Sequence, residues 1–192
     1  KRLPNHPHRA LLETHLGTQL TRAYDATRGR WAKRPTSEST VELGSDWWIW
    51  AECDQLAATL NLQGGEYDTQ LTQTAMGWLD FVDLTRSARE LVPTLDADGE
   101  WVYPWPENDT AKANQWKNGY HGAEHALIMY LHGHWRQNTP ASLYFAPSAG
   151  VNTFEAPPYV WHAMERDRTA VQTVDIAGES HTVVRVRYDA LY

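Results

Sequence analysis

The sequence predicts a mainly α protein that ends in a small antiparallel β-sheet. Up to about residue 138, apolar residues recur at the three- and four-residue spacing of amphipathic helices. After Pro140 the spacing changes to the alternation typical of strands, most clearly over residues 182–188. We therefore predict helical hairpins over residues 1–138 and an antiparallel β extension over residues 139–192.

The composition excludes several classes of partner. The 192 residues carry a formal net charge of −7 at pH 7 with a pI near 5.7, and Lys and Arg are scattered along the chain. Neither a nucleic acid nor an anionic membrane surface is therefore expected as a partner. No apolar run approaches the length of a membrane span, and the single cysteine, Cys53, excludes an intrachain disulfide. We expect a cytoplasmic protein in which Cys53 is a buried structural thiol rather than a nucleophile.

Four helices are expected in the first part of the chain. Their predicted ranges are 8–26, 46–62, 67–84 and 119–136. Ser45 or Asp46 is a suitable N-cap for the second helix. Residues 28–44 combine glycine, proline and a Ser/Thr run, which predicts an extended loop. The order of helix, long loop, helix, short strand and helix is typical of helical hairpins packed in a ring.

The second helix carries two neighbouring stripes with different roles. One stripe is apolar and is expected to face the core. Its members are Ile49, Cys53, Leu56 and Leu60. The other stripe consists of Trp48, Glu52 and Gln55, which is too polar for a core. A helix that lines a cavity should show such a second stripe.

Short strands are expected around and after the last helix. Their predicted ranges are 100–103, 143–145, 159–161, 171–176 and 182–188. Residues 177–180 are expected to form the turn of a hairpin that joins the last two strands.

Two clusters of aromatic residues suggest a binding pocket. The first opens the second helix, and the second lies some 55 residues later beside a histidine. Their members are Trp47, Trp48 and Trp50, and then Trp101, Tyr103, Trp105, Trp116, Tyr120 and His121. Flat rings with a polar edge, placed beside carboxylates and imidazoles, suit a sugar ring, which is half apolar and half hydroxylated. The alternative interpretation is a core rich in tryptophan.

His121 is the candidate general base. It falls in the first turn of the predicted fourth helix, where free amide N–H groups and the helix dipole disfavour imidazolium and favour a neutral ring. Such a base suits proton abstraction next to a carbonyl group. Glu52 is the candidate partner, able to hold a sugar hydroxyl or to orient a catalytic imidazole. The alternatives are a histidine that only caps or packs at a helix start and a structural glutamate bonded to a neighbouring helix.

Residues 121–125 also match a zinc-protease pattern. The sequence His-Gly-Ala-Glu-His places both imidazoles on one helical face. That motif needs a third ligand from a downstream helix, and mostly sheet is predicted there. His132 and His134 are interpreted as surface histidines that complement a helix C-terminus. We therefore predict no metal site.

At these motifs the chain resembles the N-acylglucosamine 2-epimerase superfamily, which includes cellobiose 2-epimerases and aldose–ketose isomerases. The matching stretches are residues 23–31, 46–52, 98–101 and 116–121. Their order and approximate spacing agree over about residues 20–131. Each stretch is unspecific alone, and the combination is fairly specific.

The resemblance implies an (α/α)6 barrel whose central cleft binds a free, unphosphorylated mono- or disaccharide. In such enzymes two histidines act as acid and base on the C2 proton through an enediolate, without a metal or nucleotide cofactor. His121 matches the second of these histidines in chain order, and Trp116 matches a ring-stacking tryptophan. Trp48 and Glu52 lie on the helix that lines the cleft, and Glu124 is a further substrate-binding candidate.

The sequence also departs from the family pattern. The other catalytic histidine belongs before residue 1, so residues 1–138 are expected to be the C-terminal part of the barrel. An N-terminal chain or segment would complete it, and an oligomer is compatible with the same incomplete ring. Glu124 stands where smaller family members often carry arginine. A glycoside hydrolase using Glu52 and Glu124, and a non-catalytic carbohydrate-binding protein, are the alternatives.

Overall fold

The computed structural model shows a helical part followed by a separate sheet. It describes residues 7–62, 64, 66–86, 94–95, 101–102, 120–148, 150–151 and 153–192. The four helices in these ranges are α1 (Arg9–Ala23), α2 (Trp47–Asn61), α3 (Asp68–Arg86) and α4 (Tyr120–Gln137). All four predicted helices are therefore confirmed, with ends within about three residues of the predicted ones. None of the helices described is both long and apolar enough to cross a bilayer.

Ten strands accompany the helices in the described ranges, and all pair antiparallel. In the helical part they are β1 (Tyr24–Asp25), β2 (Arg30–Trp31), β3 (Arg34–Pro35), β4 (Val41–Glu42), β5 (Ser45–Asp46), β6 (Thr94–Leu95) and β7 (Trp101–Val102). The strands after α4 are β8 (Ala141–Phe145), β9 (Glu165–Ile176) and β10 (Glu179–Tyr188). The sheets have the orders β1-β2, β3-β4, β5-β6-β7 and β8-β10-β9.

The prediction of a mainly α fold forming part of an (α/α)6 barrel is wrong. In the part of the chain that the structure describes, the four helices are accompanied by ten strands in small antiparallel sheets. Residues 28–44, expected to be an extended loop, pair with themselves and with their neighbours, for example Arg34 with Glu42. Ladders of two residues carry no alternation that a sequence pattern could reveal. The expectation of an N-terminal chain or segment is not tested by this finding and stays a prediction.

The chain divides into two compact units. The first unit is Lys1–Met129 and the second is Tyr130–Tyr192. The division therefore falls inside α4, whereas the sequence places it after residue 138. The N-terminal turns of α4 belong to the first unit.

The first unit has a core built on aromatic and small residues of α2, α3 and β2. Trp31 of β2 and Trp50 of α2 are buried, and Gly77 of α3 lies against the Trp50 indole. A Cβ added at Gly77 would lie 2.7 Å from the Trp50 ring, which is closer than van der Waals contact allows. Only glycine therefore permits this approach of the two helices.

The buried face of α2 differs from the predicted one. The fully or nearly buried residues are Trp50, Ala51, Asp54, Gln55, Ala57, Ala58 and Asn61. Ile49, Cys53 and Leu56, expected in the core, are half-buried and line a cavity of about 180 Å³ next to α1. The predicted core stripe is wrong because it was chosen for its apolar residues. The core of the unit also contains two polar side chains, Asp54 and Asn61, which are hydrogen-bonded there.

The second unit is a three-stranded sheet covered by the chain between β8 and β9. Val186 and Tyr188 of β10 and Trp161 are buried, and the Tyr188 hydroxyl donates a hydrogen bond to the Ala156 carbonyl. Burial raises the pKa of Tyr188 to about 12, with Glu165 adding to the effect. The predicted strands at 143–145, 171–176 and 182–188 are confirmed.

Residues 159–161 are not a strand, contrary to the prediction. They follow Pro157 and Pro158, which lack a backbone N–H, and Tyr159 has a positive φ of 57°. Both features oppose a β-ladder, although the side chains Tyr-Val-Trp favour one.

The β9–β10 hairpin is closed within the predicted turn of residues 177–180, but the turn is shorter than predicted because Glu179 and Ser180 already belong to β10. Ile176 pairs with Glu179, which leaves Ala177 and Gly178 as a two-residue loop with φ values of 54° and 84°. Positive φ at both positions defines the type I′ turn that suits the twist of paired strands. The Gly178 N–H donates to Asp175 Oδ1 at 2.9 Å. Glycine suits its position, whereas Ala177 has a side chain in the left-handed region.

Replacing Ala177 by Asn should therefore stabilise the protein. Asparagine tolerates the left-handed region better than alanine, so the free energy of unfolding should rise by up to about 1 kcal/mol. Urea denaturation of the full chain measures it. Ala177→Val is the matched opposite, since a β-branched residue at this φ should lower the stability. The free energy of unfolding should decrease in the order Asn, Ala, Val at position 177, and any other order would contradict the turn assignment.

Candidate functional site

His121 and Glu52 form the centre of the candidate site. His121 lies in the first turn of α4, as predicted, and its Nδ1 is 3.0 Å from Glu52 Oε1 of α2. The His121 side chain is 28% exposed and that of Glu52 is 50% exposed. The sequence separates the two residues by 69 positions, and the packing of two helices brings them together. The imidazole is thus partly accessible and hydrogen-bonded to a carboxylate.

Trp48 lies beside this pair on the exposed surface of α2. Its ring centroid is 6.3 Å from that of His121, with an angle of 43° between the planes, and the residue is 42% exposed. Glu52 follows Trp48 by one helical turn, which places both side chains on the same side of α2. Gln55, predicted to share this stripe, is buried instead. An exposed indole next to an imidazole is a surface on which a flat apolar ligand face can pack.

Tyr120 and Glu124 complete the group of side chains on α4. The Tyr120 ring meets the His121 ring edge to face, with centroids 5.1 Å apart. The Tyr120 hydroxyl is hydrogen-bonded to the Glu124 carboxylate, which raises the pKa of Tyr120. The negative charge of Glu124 adds to this shift, followed by burial and the charge of Glu52. We call Trp48, Glu52, Tyr120, His121 and Glu124 the His121 cluster.

Four of the five predicted site residues belong to this cluster. The fifth, Trp116, lies outside the described residues. Tyr120 was predicted only as a member of the second aromatic cluster and was given no role of its own, although it precedes His121 in the motif of residues 116–121. Its position as the first residue of α4, next to the candidate base His121, could have indicated that it belongs to the site.

A second imidazole–carboxylate pair lies in the interior of the same unit. Asp54 is fully buried and accepts three hydrogen bonds, and His125 is 2% exposed. The donors to Asp54 are Trp31 Nε1 at 2.7 Å, Thr74 Oγ1 at 2.6 Å and His125 Nε2 at 2.7 Å. Because Asp54 Oδ2 is the acceptor, His125 carries its proton on Nε2. Asp54 was not predicted as a buried acceptor because an acidic residue in a helix is usually exposed.

The two histidines of the zinc-like pattern are thus bonded to different carboxylates. His121 contacts Glu52 and His125 contacts Asp54. Within the part of the chain that the structure describes, no group of three or more His, Cys, Asp or Glu side chains is arranged to hold a metal ion. His132, interpreted as a surface residue, is buried, with its ring 5.4 Å from that of Trp135. That interpretation is wrong.

Comparisons of the chain with protein-family models, with curated proteins and with solved structures find no match.

Cys53 lies on α2 between the residues of the two pairs. Burial, followed by the negative charges of Asp54 and Glu52, raises the pKa of its thiol to about 12. Because the thiolate is the nucleophile, this cysteine is poorly suited to covalent catalysis. The expectation of a structural thiol agrees with this shift.

Cys53 should accordingly resist thiol reagents in the native protein. At about pH 8 a thiol with a pKa near 12 is only about one part in ten thousand thiolate, so an aromatic disulfide should react on the order of a thousandfold more slowly than with free cysteine. Reaction should become fast in concentrated urea, which serves as the control. Rapid stoichiometric labelling of the folded chain would contradict the assignment.

Proposed function

We propose that the protein is a sugar 2-epimerase or aldose–ketose isomerase that acts on a free, unphosphorylated sugar. The observation that carries this proposal is the 3.0 Å hydrogen bond between His121 and Glu52 beside the exposed indole of Trp48. The sequence resemblance in residues 46–52 and 116–121 supplies the reaction class. The proposal needs no metal or nucleotide as a chemical cofactor.

The His121–Glu52 pair suits proton abstraction. When the neutral ring donates Nδ1–H to the Glu52 carboxylate, the lone pair lies on Nε2 and can accept a proton from C2 of the open-chain sugar. The electron pair of the broken C2–H bond then forms the C1–C2 double bond, while the π pair of the C1 carbonyl moves onto O1 and gives an enediolate. Glu52 stabilises the imidazolium that results, as a carboxylate does for a catalytic histidine in other acid–base sites.

The surroundings of His121 favour a neutral, hydroxylated ligand. Trp48 offers an apolar face, and the carboxylates of Glu52 and Glu124 offer acceptors for sugar hydroxyls. The same two carboxylates would repel a sugar phosphate. The formal net charge of −7 acts in the same direction. These charges support a free sugar as the substrate. Separately, we propose that the reaction takes place in the cytoplasm.

The two reactions make different demands on the protein. Isomerisation returns the proton to C1 on the same face of the enediolate, so one base suffices. Epimerisation returns a proton to C2 on the opposite face, so a second acid is required. Among the described residues, His121 supplies the first role. Identifying the product as a ketose or as a C2 epimer therefore tells whether a second group takes part.

Replacing His121 by Asn should abolish proton transfer at C2. General acid–base catalysis contributes roughly 10²- to 10⁴-fold, so exchange of deuterium from heavy water into C2 should fall by that factor. Mass spectrometry of glucose, mannose, N-acetylglucosamine and cellobiose incubated with the protein measures it. His15→Asn, at an exposed position of α1, is the matched control and should leave the exchange unchanged.

Two outcomes would contradict the proposal. One is the absence of exchange with every sugar in the panel, and the other is equal exchange by the wild type and by His121→Asn. Release of new reducing ends from an oligosaccharide without exchange at C2 would indicate a glycoside hydrolase instead. In that case Glu52→Gln and Glu124→Gln should each abolish the release.

A further inference from the structure

Two imidazole–carboxylate pairs join the same two helices at different depths. His121 and His125 lie one turn apart on α4, which places both rings on the same side of that helix. They contact Glu52 and Asp54, which lie two residues apart on α2. The outer pair is accessible, whereas the inner pair is 2% and 0% exposed.

The inner carboxylate is fixed by elements other than α4. Asp54 accepts hydrogen bonds from Trp31 of β2 and from Thr74 of α3, both through Oδ1. Trp31 is itself fully buried and Thr74 is fully buried as well. Asp54 therefore belongs to the rigid interior of the unit, and its Oδ2 presents a fixed acceptor to His125 on α4.

Among the residues that the structure describes, no buried donor supports the outer pair in this way. Glu52 is half exposed and has a long side chain, so water competes for its hydrogen bond and the conformation of the side chain is only weakly held. A buried charge-assisted hydrogen bond of 2.7 Å between short, enclosed side chains is much more restrictive. The position of the first turns of α4 relative to α2 is thus determined by His125 and Asp54 rather than by His121 and Glu52.

We propose that His125 and Asp54 are positioning residues that hold His121 against Glu52 and thereby select its tautomer. Free neutral imidazole prefers the proton on Nε2, whereas the contact with Glu52 requires it on Nδ1 and leaves Nε2 as the base. Loss of the inner pair releases α4, and the ring returns to its preferred tautomer. The positioning stands on geometry alone, and only its consequence for catalysis rests on the function proposed above.

Long-range ¹H–¹⁵N correlation spectra of the ¹⁵N-labelled full chain test the positioning directly. At a pH at which the imidazoles are neutral, the wild-type His121 ring should show a protonated Nδ1 and an unprotonated Nε2. Glu52→Gln should weaken this signature because its amide is a poorer acceptor. His125→Phe fills the same space without a donor and should shift His121 towards the Nε2–H form.

His125→Gln is the matched control. The Gln amide can donate to Asp54 in place of Nε2–H, so this variant should keep the wild-type signature of His121. Thr74→Val removes one donor to Asp54 without removing His125, and it provides a second route to the same result if His125→Phe does not fold. It should shift the tautomer in the same direction to a smaller extent. A wild-type Nδ1–H signature that persists in both His125→Phe and Thr74→Val would overturn the proposal, as would its absence from the wild type.

Kinetics separate the positioning from a merely structural role. In His125→Phe, kcat for proton exchange should fall by about 10²-fold, the loss expected for a misplacement of about 1 Å, while KM changes little. Adding Glu52→Gln to His125→Phe should then cost little more, because the outer contact is already lost. Independent, multiplicative losses would count against the proposal. Tautomer shifts without any exchange in the wild type would refute the sugar chemistry and leave the positioning intact.

Discussion

The buried carboxylate of Asp54 is the constraint on which the helical unit depends. A carboxylate removed from water is tolerated only when its oxygens are hydrogen-bonded, and breaking one partner of such a pair costs roughly 3–5 kcal/mol. Here the donors come from β2, α3 and α4, so a single side chain of α2 joins four elements. The exposed pair of His121 and Glu52 inherits its geometry from this interior contact. Under the function proposed above, proton transfer at the surface would therefore depend on a group that does not contact the sugar.

The helices could be predicted because their signals are local. The spacing of apolar residues and the polar residues before α2 indicated ends within about three residues, and a turn was predicted at residues 177–180, where Ala177 and Gly178 form the loop. The short strands of the first unit could not be predicted. Ser45 pairs with Leu95 across some fifty residues, and two residues are too few to show an alternating pattern. These short sheets are part of the reason why the prediction of a mainly α barrel is wrong.

The sequence predicted most residues of the candidate site, but it did not predict which side chains contact one another. The motif around His121 and the stripe with Trp48 and Glu52 indicated which side chains carry chemistry. Which carboxylate each imidazole meets depends on how two helices pack, and helical periodicity contains no such information. For the same reason the buried contact between Asp54 and His125 was not predicted. A polar residue on a helix looks exposed until the tryptophan and threonine that enclose it are known.

The contact between Gly77 and Trp50 links the formation of α3 to the rest of the unit. A glycine within a helix lowers its intrinsic helical preference by about 1 kcal/mol relative to alanine. Segment α3 therefore gains its order from docking rather than from its own residues. Thr74 precedes Gly77 by three positions on the same helix. Docking of α3 through Gly77 therefore also places the Thr74 hydroxyl where it donates to Asp54. Folding of α3 and assembly of the buried polar network are thus expected to be a single cooperative event.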